Sequence, residues 1–203
     1  MKEFWNQRYK DERYAFGEEP NEYLKEQLGI LSPGKILFPA EGEGRNAVFA
    51  ARMGWDVSAF DISEEGKKKA EQLAKKHGVK IDYTIMYMDQ VDFDEGCFDA
   101  IALVYAHFHE NVRNNYHQKI NRWLKPGGHL ILEAFSKEHI HFNTLNPAVG
   151  GPKTLDMLYS VEDIRLDFPD HKVLDLSKEE IMLNEGIYHV GKGAVVRYHG
   201  QKM

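Results

Sequence analysis

Between residues 21 and 31 the apolar side chains recur at helical spacing (Tyr23, Leu24, Leu28, Leu31), and Ser32-Pro33-Gly34 ends the run, predicting a helix and then a turn. Lys35–Phe38 is a short apolar run, read as a strand. It stops at Pro39 before the polar loop Glu41-Gly42-Glu43-Gly44-Arg45-Asn46, and Ala47–Ala51 with Met53 then has helical character up to Gly54. The cycle repeats. Asp56–Phe60 is a strand ending at Asp61, Ser63 is an N-cap with Glu64 and Glu65 in the first turn, and a lysine-rich helix runs to His77-Gly78 with its charges matched to the helix dipole. A third strand is expected at Ile81–Met86, with Asp89 just beyond. A fourth, Ala100–Tyr105, is almost continuously apolar, as in a strand covered on both faces. Val112 to Leu124 has helical periodicity, and Lys125-Pro-Gly-Gly128 reads as a sharp turn into a fifth strand, His129–Phe135.

Five strand–helix cycles predict an α/β, doubly wound, Rossmann-like sheet. The remainder differs: an irregular stretch from Ser136 to Lys153, a short helix from Val161 to Phe168, and late strands at Lys172–Leu176 and Ala194–Tyr198. Two strands without a long crossover helix suggest an antiparallel hairpin on one edge, giving a mostly parallel sheet of seven. A single domain over residues 1–203 is expected, with a helical cap segment (1–34), a ligand-binding core (35–135), and a substrate-side region with the hairpin (136–203).

Composition narrows the partners. The chain has 203 residues, 26 Lys and Arg against 32 Asp and Glu, and a net charge of −6, which opposes nonspecific binding to nucleic acid. Its one cysteine, Cys97, can form no internal disulfide. The charged start lacks an apolar signal sequence, and no segment approaches the ~20 apolar residues of a membrane span. A cytoplasmic protein acting on a small molecule, with neither nucleic acid nor membrane as partner, is the expectation.

Gly42-x-Gly44-x-x-Ala47 fits the loop that lets a backbone approach a nucleotide-type ligand, and Asp61 stands at the end of the next strand, where an acid accepts from ribose hydroxyls. A dinucleotide would set its pyrophosphate against Glu41 and Glu43. S-adenosylmethionine (SAM) has no phosphate and carries a sulfonium and an ammonium, so the acidic loop favours SAM over NAD. Asp89 lies after the third strand, on the edge where open α/β sheets bind ligands.

With these residues in view, the chain resembles the class I SAM-dependent methyltransferases over nearly its whole length. The motifs are Ile36-Leu-Phe-Pro-Ala-Glu-Gly-Glu-Gly-Arg-Asn46, Phe60-Asp-Ile-Ser63, Met88-Asp89, Phe98-Asp-Ala-Ile101 and Leu124-Lys-Pro-Gly-Gly-His-Leu-Ile-Leu132. Within that class it looks most like the tellurite-resistance and thiopurine methyltransferase group, through Pro39–Asn46, the N-terminal Trp5, Tyr9, Tyr14, Gly17 and Pro20-Asn21, and the tail residues Gly150-Gly-Pro152, Met157-Leu-Tyr159, Glu185-Gly186 and His189. The resemblance implies that Glu41, Gly42 and Gly44 line the methionine part of SAM; Arg45, which on charge suits the SAM carboxylate, and Asn46 of the same loop are further cofactor-binding candidates. The resemblance further implies that Asp61 binds ribose, Ile62 packs on adenine, Asp89 and Gln90 flank the adenine amine, and Tyr105-Ala106 approach the sulfonium. An N-terminal segment with Tyr14, Phe16 and Gly17 would close over the cofactor. The chain departs from many members in having Phe38 where they carry an acid, and Ala40-Glu41 where they have Gly-Cys.

Methyl transfer is an in-line displacement that depends chiefly on alignment in a dry pocket. A soft sulfur, selenium or tellurium anion needs no base, whereas a hydroxyl or carbon acid does. His107 and His109, after the fourth strand, are candidate bases, and Glu133 is a third candidate catalytic group late in the fifth strand, where a buried acid needs a partner or a cavity. Tyr159 and His189 are read as pocket-rim residues with packing as the alternative. The pairs His107/His109 and His139/His141 lack companion ligands, so no metal is expected. A noncatalytic SAM-binding module and an NAD-dependent oxidoreductase remain as alternatives.

Overall fold

The computed structural model describes residues 1–203. Seven strands, β1 (Lys35–Pro39), β2 (Asp56–Asp61), β3 (Asp82–Ile85), β4 (Phe98–Val104), β5 (Leu124–Phe135), β6 (His171–Glu185) and β7 (His189–Lys202), form one sheet in the order β3-β2-β1-β4-β5-β7-β6. Strands β1 to β5 pair in parallel, and β7 runs antiparallel to both β5 and β6. The chain order reverses between β1 and β4, so the switch-point crevice lies outside the carboxyl ends of these strands.

Seven α-helices accompany the sheet: α1 (Lys2–Tyr9), α2 (Glu22–Gly29), α3 (Arg45–Arg52), α4 (Glu64–His77), α5 (Glu110–Trp123), α6 (His139–Leu145) and α7 (Val161–Asp167). Strand alternation sorts the apolar runs into two layers of core. Ile36, Phe38, Ala100, Ala102 and Ile131 face one side, with Tyr23, Leu24 and Leu28 of α2 and Ala47 and Ala50 of α3. Leu37, Ile101, Leu103, Leu130 and Leu132 face the other, with Ile120 and Trp123 of α5, Tyr159 and Ile164. The small alanines of β4 and α3 leave room for Phe38, which is fully buried.

Several boundaries differ from the sequence reading. α1 falls within the helical cap segment expected over 1–34, although its own residues show no apolar stripe; tertiary contacts hold it, described below. Ser136–Lys153, expected to be irregular, contains α6 and a 3-10 turn at Pro147–Val149. The late strands are far longer than Lys172–Leu176 and Ala194–Tyr198, because β6 is a charged edge strand whose ladder bonds to β7 leave no apolar run to read. The turn Lys125–Gly128 lies within β5. There the register slips from Phe98↔Leu124 to Ala100↔His129, with Gly127 at φ 79°.

Candidate functional site

The crevice begins at the end of β1. Ala40 (φ 54°), Gly42 (φ 65°) and Gly44 (φ 85°) turn the chain from strand to helix through left-handed backbone. Gly44 is forced twice over, since a Cβ there would sit 2.4 Å from the Ala70 Cβ of α4. A Cβ on Gly42 would meet the Tyr9 hydroxyl at 2.6 Å, so α1 rests directly on the loop. Asn6 fixes it there. Its Oδ1 accepts from the Ser63 hydroxyl (2.8 Å) and the Glu64 N–H (3.0 Å), adding a second cap to α4 beside Ser63 itself.

The two loop acids have different roles. Glu43 is buried, pairs with Lys69 at 2.8 Å, and accepts from the N–H groups of Ala15 (2.8 Å) and Phe16 (3.4 Å). The expectation that it presents charge to a ligand is therefore corrected: the protein neutralises it, and it serves as an anchor for the N-terminal strap. Glu41 is the remaining acid. Its Oε1 accepts from the Asn46 (3.0 Å) and Ala47 (2.7 Å) N–H groups at the start of α3, while Oε2 has no protein donor. Burial pushes its carboxyl up to about 8, against the pull of those N–H groups and of Arg45.

Asp61, at the end of β2, is 8% exposed and accepts from Gly42 N–H (3.1 Å) and Ser63 N–H (2.8 Å). Burial raises its pKa, and no cation is bonded to it. Ile62 is half-buried, whereas Asp89 and Gln90 are exposed in the turn after β3. Asp61 and the glycine loop thus frame one edge of the crevice, and Asp89 and Gln90 lie at its open margin.

Across the crevice, Tyr105 follows β4 at φ 52°, an uncommon conformation for a bulky residue. Its N–H donates to Glu133 O (2.8 Å) and its hydroxyl to Glu133 Oε1 (2.9 Å). Ala106 is buried, and its carbonyl accepts from the Tyr159 hydroxyl at 3.0 Å. Glu133, 1% exposed, also receives Asn21 Nδ2 at 2.6 Å and Arg197 Nε at 2.7 Å. Three donors engage its two oxygens, so Glu133 orients Tyr105, Asn21 and Arg197, which corrects its assignment from a catalytic candidate to a positioning residue.

The two histidine candidates fare no better. His107 donates from Nδ1 to Met157 O (2.8 Å) and accepts at Nε2 from Phe135 N–H (3.3 Å), and burial holds it down at about 3. Both ring nitrogens are spent. His109 sits at the N-cap of α5 with its side chain 51% exposed, bonded to Asp156 at 2.6 Å, on the surface rather than in the crevice. No group of three or more His, Cys, Asp or Glu is placed to hold a metal.

The histidine that does face the site is His189. It is 4% exposed, and its ring lies 4.5 Å from Phe16, 4.6 Å from Tyr105 and 5.1 Å from Phe135. Nδ1 bonds Glu185 Oε2 at 2.9 Å, while Nε2 has no protein partner. Burial would raise the Glu185 carboxyl, but Arg45 at 3.0 Å and the His189 bond hold it at about 2. Burial lowers the His189 pKa in turn, leaving a neutral imidazole beside a carboxylate. Arg45, expected near a ligand carboxylate, is instead bound to Glu185 and to Glu19 O (3.3 Å), and Asn46 Oδ1 accepts from Asn21 N–H (2.9 Å).

The strap locks these parts together. Ile187 N–H donates to Ala15 O (2.9 Å), and Gly186 approaches so closely that a Cβ would lie 2.4 Å from that same oxygen. The turn between β6 and β7 therefore grips the strap that Glu43 holds from the other side. Sequence reasoning missed the roles of Asn6, Asn21 and Glu185. Asn21 reads in the sequence as a helix start and a motif residue, but not as a partner of Glu133, which is 112 residues away. Glu185 and His189 do carry a local signal, two polar residues four apart around Gly186, which periodicity does not weigh.

Comparison with known proteins agrees with this geometry. Residues 36–128 match the family described as "Methyltransferase domain". A ubiquinone biosynthesis O-methyltransferase of Alkalilimnicola ehrlichii is 29% identical over 121 residues, 57% of this chain, which spans only 47% of that relative's length. A ubiquinone/menaquinone biosynthesis C-methyltransferase of Hydrogenovibrio crunogenus is 26% identical over 196 residues, covering 87% of this chain and 76% of the relative. Among solved structures, one described for the conversion of a disulfide bond into a thioacetal group during echinomycin biosynthesis aligns with 100% of this chain and 92% of its own at a TM-score of 0.79 and 16% identity, a likeness of fold. The segment 36–128, with its glycine loop bonded to Asp61 and the strand order around it, is thus similar to the methyltransferase domain family, and the whole chain has the fold of SAM-dependent methyltransferases.

Proposed function

We propose that the protein methylates a small molecule whose accepting atom carries a proton, with His189 as the base that removes it. One observation carries this reading: a buried histidine, oriented through Nδ1 by a carboxylate, packs its ring against Tyr105 at the carboxyl end of β4 and leaves Nε2 without a protein partner. Glu185 fixes the tautomer with the proton on Nδ1, so the Nε2 lone pair is available at neutral pH. Phe16, Tyr105 and Phe135 make the surrounding walls apolar and dry, and suit a planar or apolar acceptor.

In this reading SAM supplies the electrophilic methyl group on its sulfonium. The backbone of Gly42 and Gly44 admits the ligand closely, Asp61 accepts from ribose hydroxyls, Ile62 packs on adenine, and Asp89 and Gln90 meet its amine. Glu41 faces the methionine part, and the strap with Phe16 excludes water. The soft-anion acceptor of the sequence reading has less support, because Arg45 and Arg197, the two arginines bonded into this wall, are both already paired to carboxylates.

The test is calorimetric titration with S-adenosylhomocysteine (SAH), SAM and NAD, repeated on Asp61→Ala, followed by an acceptor screen of phenols, other alcohols, carbon acids and thiols. Binding of SAH lost in Asp61→Ala, with turnover on a protic acceptor, supports the proposal. NAD binding in place of SAH, or turnover only on tellurite and selenite, overturns it.

A further inference from the structure

We infer that cofactor binding here is proton-coupled: Glu41 gives up a carboxyl proton to solvent when the ammonium of the amino-acid part of the cofactor takes its place beside Oε2. This rests on the cofactor reading above and adds to it a charge exchange at a single residue.

The geometry begins with the left-handed Ala40, which turns the chain so that Glu41 follows β1 directly into the crevice. One carboxyl oxygen is consumed by two N–H groups of α3, and the other has no donor. The charged groups around it come from four elements. From α3, Arg45 is the one nearby cation, and it is held by Glu185 and Glu19 O. From the end of β2, Asp61 adds a second negative charge. From α1 and β3, the hydroxyls of Tyr9 and Tyr83 stay protonated, and Tyr83 donates to Gly42 O at 2.7 Å instead of to the carboxylate.

An ionised Glu41 would therefore be an anion facing another anion, with its local cation already committed. Burial does most to raise its carboxyl to about 8, against the pull of the two α3 N–H groups and Arg45, and Asp61 adds to the rise, so Glu41 holds a proton before the ligand arrives. An arriving ammonium changes the balance, because an opposite charge within ~4–6 Å favours the ionised form. The exchange is Glu41–COOH plus ligand ammonium going to an ion pair plus one proton in solvent. No bond to carbon changes. Phe38, fully buried among Tyr23, Leu24 and Ala47, contributes no charge at the strand end, so the duty falls on Glu41.

The experiment is titration calorimetry of the full chain with SAH in buffers of different ionisation enthalpy at pH 7, with 5′-methylthioadenosine, which lacks the amino-acid part, as the second probe. Release of more than about half a proton with SAH and none with methylthioadenosine is expected, with SAH affinity rising up to about tenfold per pH unit from pH 6 to 7. Glu41→Gln should abolish both the release and the pH slope. The comparison of the two probes on unmutated protein decides the matter if that variant does not fold. SAH binding without proton release, or with equal release from both probes, overturns the inference and leaves the methyltransferase reading intact. Failure of SAH to bind at all overturns both.

Discussion

At the scale of single residues, the chemistry separates histidines by what their two nitrogens are doing. His107 has both occupied and His109 points to solvent, whereas His189 has one held by Glu185 and one free. His189→Gln should lower kcat with a protic acceptor by about 10²- to 10⁴-fold and abolish the limb of the pH–rate profile that rises as the imidazole loses its proton, with SAH affinity unchanged in a binding titration. His109→Ala should leave kcat within about twofold, since its loss removes only an exposed pair to Asp156. The sequence marks all of these histidines equally. What distinguishes them is which backbone carbonyl or carboxylate, 4 to 50 residues away, occupies each ring nitrogen.

Elements explain what was legible. The strand–loop–helix cycles of β1–α3 and β2–α4 announce themselves because both local signals, apolar period and capping residues, agree with the fold. α1 has no such agreement, as it is stabilised by Asn6 capping another helix and by Tyr9 on Gly42. β6 likewise draws its stability from ladder bonds rather than from an apolar face. Asn6→Ala should cost about 1 kcal/mol in urea unfolding, and should weaken protection of the α1 amides in hydrogen exchange more than those of β4. Gly44→Ala should be far worse, since the new methyl meets Ala70 from a left-handed backbone; failure to accumulate as folded protein is the expected result of expression and circular dichroism.

Taken as a whole, the molecule holds buried histidines as neutral rings. Burial lowers His107 to about 3 and His139, His171 and His199 to about 4. Their unfolded value is near 6.5, so below that pH the unfolded chain binds the extra protons and the native state loses stability progressively down to the folded values. Glu185, held at about 2, adds a similar loss below its unfolded value of about 4.5. The thermal midpoint should therefore drop by at least about 5 °C between pH 7 and pH 5, measured by scanning calorimetry. Glu41 acts in the opposite sense: with its folded pKa raised to about 8, it costs stability as pH rises from about 4.5 to 8. Saturating SAH, by supplying its counter-ion, should offset that cost. The grip of the β6–β7 turn on residues 15–17 bears also on synthesis. The glycine loop leaves the ribosome early, but the strap that covers it has its second anchor at Ile187, and β7 must still insert between β5 and β6. A nascent chain halted before β7 would thus carry the loop with one wall of its crevice missing, so the ability to retain cofactor should arrive only once β7 has been made.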